Sequence, residues 1–186
     1  MSETFTLAGD LEFEHVGTMV CGERLLICDV EYLPPRFAGT TQGKVSLDVD
    51  VEIVPGTWQV LLAFDPDAEA DEDGDGPSPR FVLLTHDAEL ETPAPLDQAE
   101  AVALLRVDSG RLTALDAELR DDPDIQTAVL EAPREQVPCM LTPLAEPGDT
   151  RAQEPRGTLI DLDVAGVFEL YAPPGRPRTA LFLAIA

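Results

Sequence analysis

The chain has 186 residues, a length suited to one domain, and 44% of them are hydrophobic, which supplies a buried core and excludes wholesale disorder. Twelve basic residues stand against 36 acidic ones, a net charge of −24 that repels nucleic acid and anionic lipid and attracts cations or a basic protein. No apolar run reaches the length of about 18 residues that a membrane-spanning helix needs.

The first residues, MSETFTLAGDLEFE, lack the basic and apolar regions of a secretory signal. Cys21, Cys28 and Cys139 are too few and too scattered for a disulfide framework, so a reducing cytoplasm is the expected location. Strands are expected over 11–20 and 25–30. In KVSLDVDVEI, Val45, Leu47, Val49, Val51 and Ile53 alternate with Ser46, Asp48, Asp50 and Glu52. That period of two predicts one strand over 44–53, with a buried and a wet face. Pro55-Gly56 marks a turn, after which Trp58, Val60, Leu62 and Phe64 resume the alternation.

RFVLLTH at 80–86 is the next β-rich run. The acidic stretch between these two strands, ADEDGDGPSPR, reads as a long hairpin connection. Further strands are expected over 101–107, 158–162, 167–171 and 179–185, with Cys28 pointing to the core from the second strand of the chain. Turns rich in Gly and Pro separate them, which favours antiparallel pairing over βαβ units. One short helix is expected at 122–131, with Asp122 as N-cap and Pro123 at its first position. Ile125, Val129 and Leu130 would face the core, and Pro133 would end it. Segments 65–79, 91–98 and 133–157 read as acidic, Pro-rich loops. The expected fold is mainly β: a single antiparallel β-sandwich or barrel-like domain over 1–186.

Three short motifs point to chemistry, each with a plainer competitor. DEDGDG matches D-x-D-x-D-G, so Asp71, Asp73 and Asp75 are candidate calcium ligands, with Gly76 permitting the sharp turn. The twelfth position of such a loop should hold a bidentate Glu and holds Val82 instead; a solvated acidic hairpin loop is the favoured reading. LLRVDSG resembles the Asp-Ser-Gly motif of aspartic proteases, where two loops share a proton between carboxylates. A second copy is missing, so Asp108 would need a homodimer; the competitor is a turn in which Asp108 and Ser109 cap backbone groups. His86-Asp87 closes a strand and offers an acid/base pair. His15, Cys21 and Cys28 lack zinc-finger spacing. No G-x-S-x-G elbow, phosphate loop or basic cluster occurs, which disfavours nucleotide binding.

Several spaced pieces belong together. Gly22-Glu-Arg-Leu-Leu-Ile-Cys-Asp29, Pro55-Gly-Thr-Trp-Gln-Val60, and Val107-Asp-Ser-Gly-Arg-Leu112 with Asp116 follow one another along the chain. In this series the chain resembles an uncharacterised bacterial family of small β-rich proteins labelled as a domain of unknown function. The family's late Gly-Asp-Gly turn is replaced by Val164-Ala165 within Asp163-Val-Ala-Gly-Val-Phe-Glu-Leu170. The resemblance implies a β-rich fold and brings no activity with it.

The expected function is that of a non-enzymatic, acidic, cytoplasmic protein that works through protein–protein interaction, as an inhibitor or immunity-type partner of a basic protein. No cofactor is expected beyond the calcium alternative at Asp71, Asp73 and Asp75. The rival is a hydrolase using His86 with Asp87, or Asp108 across a dimer. A further alternative is that the charge only keeps a salt-adapted protein soluble.

Overall fold

The computed structural model describes residues 12–65, 78–86, 99–149 and 153–185. In chain order the strands are β1 (Glu12–Cys21), β2 (Arg24–Asp29), β3 (Thr41–Gln42), β4 (Val45–Ser46), β5 (Asp48–Glu52), β6 (Gly56–Phe64) and β7 (Phe81–His86). Then follow β8 (Glu100–Val107), β9 (Arg111–Asp116), the helix α1 (Pro123–Glu131), β10 (Cys139–Leu141), β11 (Gly157–Asp161), β12 (Gly166–Ala172) and β13 (Ala180–Ala184).

Two open sheets stack face to face. The larger has the order β1-β6-β7-β13-β12-β8-β4-β3, the smaller β10-β11-β9-β2-β5. Among these strands all pairings are antiparallel except β4 along β8. The expected mainly-β fold with one short helix is therefore present, as a sandwich and not as a closed barrel. β6 and β7 pair in register from Ala63↔Phe81 to Trp58↔His86, so the acidic stretch does join two neighbouring antiparallel strands.

The core forms where the inward faces meet. Trp58, Val60 and Leu62 of β6 pack in one cluster with Leu25 and Ile27 of β2 and with Leu112 and Ala114 of β9. A second cluster lies on the outer face of the small sheet. There Ile125 and Val129 of α1, together with Leu119, cover Leu26, Cys28, Leu115 and Leu159. At about 1.5–3 kcal/mol for each fully buried large aliphatic side chain, this second layer is a substantial part of the hydrophobic stabilisation. The helix begins as the sequence predicts: the Asp122 carboxylate accepts the N–H groups of Asp124 (2.9 Å) and Ile125 (3.2 Å), with Pro123 in the first turn.

Four expectations need correction. Leu130 is 46% exposed, because Ile125 and Val129 share a face at i, i+4 and Leu130 is turned about 100° away from it. The segment 133–157 is not all loop, since β10 lies within it. β9, the centre of the small sheet, was not expected: its apolar residues face both the main core and α1, which erases the period of two. The predicted single strand at 44–53 is two strands in different sheets. β4 pairs with β8, the chain crosses at Leu47, and β5 pairs with β2.

That crossing changes Asp48. Expected on the wet face, it is 8% exposed, and its carboxylate pairs with Arg120 Nη1 and accepts the Gly39 N–H at 3.0 Å. Among the described residues no helix is long and apolar enough to cross a membrane.

Candidate functional site

The two sheets leave an open seam on each flank. On the flank where β1 meets β10 and β11, a cleft of 510 Å³ opens between the sheets. Leu62 and Phe64 of β6 and Val137 of the turn before β10 give it apolar walls, and four carboxylates surround them. Glu14 comes from β1, Glu135 from the same turn as Val137, and Asp161 and Asp163 from the end of β11.

One cation, Arg134, stands among these carboxylates. Its Nε lies 4.0 Å from Asp161, and its side chain is 70% exposed, so the pair neutralises little. Asp163 sits at φ 60°, a left-handed conformation that Asp tolerates better than most residues. There its N–H donates to Asp161 Oδ1 (3.0 Å) and its carboxylate accepts Ser78 Oγ (3.2 Å). Glu14 and Glu135 are exposed and have no hydrogen-bond or ion-pair partner among the described residues. The arrangement offers unpaired negative charge beside an apolar surface. It suits a cationic side chain with an apolar stem.

The acidic connection between β6 and β7 is rooted at the same place. Phe64 and Pro79, which flank it, both line the cleft, and Arg80 pairs with Asp65 across its base at 3.4 Å. By sequence, residues 66–77 carry six further carboxylates, Asp71, Asp73 and Asp75 among them. Those three calcium candidates lie outside the described residues, as does Asp87.

The other sequence candidates are engaged in structural bonds. His86 packs edge-on against Trp58, with ring centroids 5.9 Å apart, and its Nε2 is 3.3 Å from the Pro55 carbonyl. Gly56, at φ 134°, lets this ring in, for a Cβ there would meet Nε2 at 2.8 Å. Asp108 accepts the Tyr32 hydroxyl and Arg106 Nε (2.9 Å). The Tyr32 bond is the main cause that holds the Asp108 carboxyl below its usual range, and it pushes the Tyr32 hydroxyl up to about 12. Ser109 donates its N–H (2.7 Å) and Oγ (3.0 Å) to the buried Asp29, which ties the 107–111 turn to the end of β2. Ser109 Oγ also accepts the Arg111 N–H (3.0 Å), the backbone cap expected of it, whereas Asp108 bonds side chains and caps no backbone group among the described residues.

Cys28 lies in the core under α1 as expected, and Cys21 in the main core. His15 pairs instead with Gln59. Among the described residues no three His, Cys, Asp or Glu side chains gather in a way that would hold a metal. Glu14, Glu135, Asp161 and Asp163 escaped sequence reasoning because they come from three distant segments, and only the sandwich brings them together.

Comparison of the chain with protein-family models, with curated proteins and with solved structures gave no match.

Proposed function

We propose that this is a non-catalytic binding protein that engages a basic protein, as an inhibitor or immunity-type partner, through the cleft between β1, β6 and the end of β11. The carrying observation is the union of an apolar floor with four carboxylates, of which Glu14 and Glu135 have no partner among the described residues. A net charge of −24 steers a basic partner inward from a distance, and the apolar walls then anchor the stem of an Arg or Lys. The non-enzymatic part of the reading is supported by His86, Asp108 and Ser109, whose polar atoms serve the fold. Three free thiols support a reducing compartment.

The test uses two defined peptides of equal charge, one alternating arginine and leucine, the other oligolysine, titrated calorimetrically. The native protein should prefer the first and lose affinity steeply with salt. The variant Glu14→Gln/Glu135→Gln/Asp161→Asn/Asp163→Asn should lose that preference while keeping its fold. Equal binding of both peptides, or a preference that survives in the variant, would overturn the assignment.

A further inference from the structure

On the opposite flank the sandwich is incomplete. β5 ends the small sheet there, and among the described residues it has a full strand partner, β2, on one side only. β8 belongs to the large sheet, and β4 pairs with it only at Leu104 and Leu105, which leaves the stretch from Glu100 to Ala103 without a strand neighbour on that side among the described residues. A cleft of 390 Å³ lies between these two edges, with Val49, Val51, Val102 and Ala103 in its walls. The core is thin here: Val49 and Val51 keep 8% and 7% exposure, whereas Leu25, Trp58 and Leu105 keep none.

The backbone of this edge is turned toward the cleft. The Ile53 N–H donates to the Glu23 carbonyl on the β2 side (2.9 Å), while the Glu52 carbonyl accepts the Arg178 N–H on the other (3.0 Å). Main-chain groups alternate sides along a strand, so Asp50 presents its N–H and C=O on the Glu52 side, away from β2. The chain already uses the end of this edge itself. Arg178 lies parallel to Ile53, and its carbonyl accepts the Val54 N–H at 2.9 Å. One residue of added strand is thus in place, and its direction is parallel.

The second observation concerns arginine. Arg24, Arg176 and Arg178 line this cleft together with Asp48, Asp50 and Glu52. Arg24 pairs with Asp50 at 2.9 Å and Arg178 with Glu100 at 2.5 Å, which leaves Arg176 as the cleft's cation without a partner among the described residues. Nearly every described arginine has work in the fold. Seven are in ion pairs, Arg36 lies over the Phe37 ring at 4.7 Å, and Arg111 donates to the Ala132 carbonyl at 3.0 Å. Arg176 is exposed and alone among them in having no partner among the described residues.

We propose that the cleft between β5 and β8 takes an extended peptide with a free C-terminus, which adds as a strand parallel to β5 and delivers its carboxylate to Arg176. Parallel addition points the peptide's C-terminus toward Ile53 and Arg178, the end at which Arg176 stands. Hydrogen bonds to Asp50 supply register, and every second side chain of the peptide turns toward Val49, Val51 and Val102. Because Arg178 already holds the Glu52 carbonyl, the open part of the edge is 48–50, roughly 10 Å at about 3.3 Å per residue, and the rest of the peptide overhangs it. Because the protein repels anions at long range, the peptide is neutral or basic apart from its terminus. This site is independent of the acidic cleft on the other flank.

The probe is an N-acetylated hexapeptide alternating threonine and valine, made as the free acid and as the C-terminal amide. Both are titrated calorimetrically and by backbone amide NMR. The free acid should bind about tenfold more tightly than the amide, as expected for a charge-assisted contact to arginine. Shifts should concentrate at 48–54 and 100–103. Arg176→Gln should reduce the acid to the level of the amide, leave the amide unchanged and leave the melting temperature unchanged, since the side chain has no partner among the described residues. Glu14→Gln/Glu135→Gln should bind the peptide as the native protein does, which separates this result from any failure at the acidic cleft. No heat and no shifts at millimolar peptide, equal binding of acid and amide, or an acid preference that survives Arg176→Gln would each overturn the proposal.

Discussion

Replacing Asp48 tests whether the crossing between the sheets is held by a buried ion pair. The side chains of Asp48 and Arg120 are 4% and 12% exposed. In Asp48→Leu, Arg120 loses the carboxylate at Nη1 and keeps only the Tyr32 carbonyl at Nη2 (3.2 Å), while its Nε is already buried without an acceptor. Breaking a buried pair from one side costs about 3–5 kcal/mol, because the surviving charge stays desolvated and unmatched. For a chain of this length each kcal/mol moves the melting temperature by roughly 2–4 °C, so the fall should be on the order of 6–20 °C. Asp48→Leu/Arg120→Met removes both charges and should lie within about 1 kcal/mol of the native protein. The two single variants and the double one form a cycle whose coupling should be at least about 2–4 kcal/mol, the cost of Asp48→Leu less that of the double variant, and larger by whatever Arg120→Met costs alone. Urea unfolding followed by the fluorescence of Trp58, the only tryptophan, reads all four proteins. A cost below about 1 kcal/mol for Asp48→Leu, or a double variant that costs the sum of the singles, would refute the reasoning.

Other outcomes follow from the same packing. Trp58→Ala should cost about 3–5 kcal/mol, since the side chain is fully buried and its Nε1–H donates to the Val54 carbonyl at 2.9 Å; a cost below about half a kcal/mol would contradict that burial. In the native protein Cys21 and Cys28 should resist alkylation at mildly alkaline pH and react only on unfolding. Burial, with the Asp116 charge second, pushes the Cys21 thiol from 9.0 up to about 12, and burial also raises that of Cys28. The folded state holds the protonated form, so this contribution to stability is complete below pH 9 and is lost as pH climbs toward 12. Fast labelling of either thiol with the Trp58 signal intact would overturn the assignment. Replacing Asp71, Asp73 and Asp75 by Asn should leave the fold intact and raise stability slightly at low salt, by relief of like-charge repulsion. Calcium should bind the native chain no tighter than millimolar; micromolar binding that vanishes in the triple variant would make the acidic connection a metal site.

What the sequence disclosed followed local physics. The N-cap at Asp122, the burial of Trp58, Val60 and Leu62, and the β6–β7 hairpin each depend on a period or a cap within a few residues, and each was legible. The misses share a non-local cause. β9 has apolar residues on both faces because α1, later in the chain, covers one of them. Asp48 leaves the wet face because Arg120, 72 residues away, meets it after the strand changes sheets. The acidic cleft needs Glu14, Glu135 and Asp163 side by side, and nothing local links three acids so far apart in the chain. Arg176 was invisible for another reason: its character lies in having no partner while its fellow arginines do, and that is known only once the others are placed.

The charge of this protein is better understood by where it is balanced than by its total. Three buried carboxylates are each fully matched. Asp29 accepts from Ser109 and the Glu31 N–H, Asp48 from Arg120 and Gly39, and Asp116 from Gly22, Glu118 and Arg156. Each closes a turn or pins a strand end, so these acids specify the fold and contribute little to the outward field. The excess is left on the surface, and next to the low-dielectric walls of Leu62 and Phe64 an unmatched carboxylate attracts a cation more strongly than it would in open water. On the β5 flank the charges are even, with Arg24, Arg176 and Arg178 set among Asp48, Asp50 and Glu52. The two flanks therefore differ in kind: one is an acidic cleft, the other a balanced one in which Arg176 is the cation without a partner among the described residues. The field of the whole protein draws basic chains toward both flanks alike, but each cleft holds its ligand with its own residues, and the carboxylates of the acidic cleft take no part in holding a terminus at Arg176.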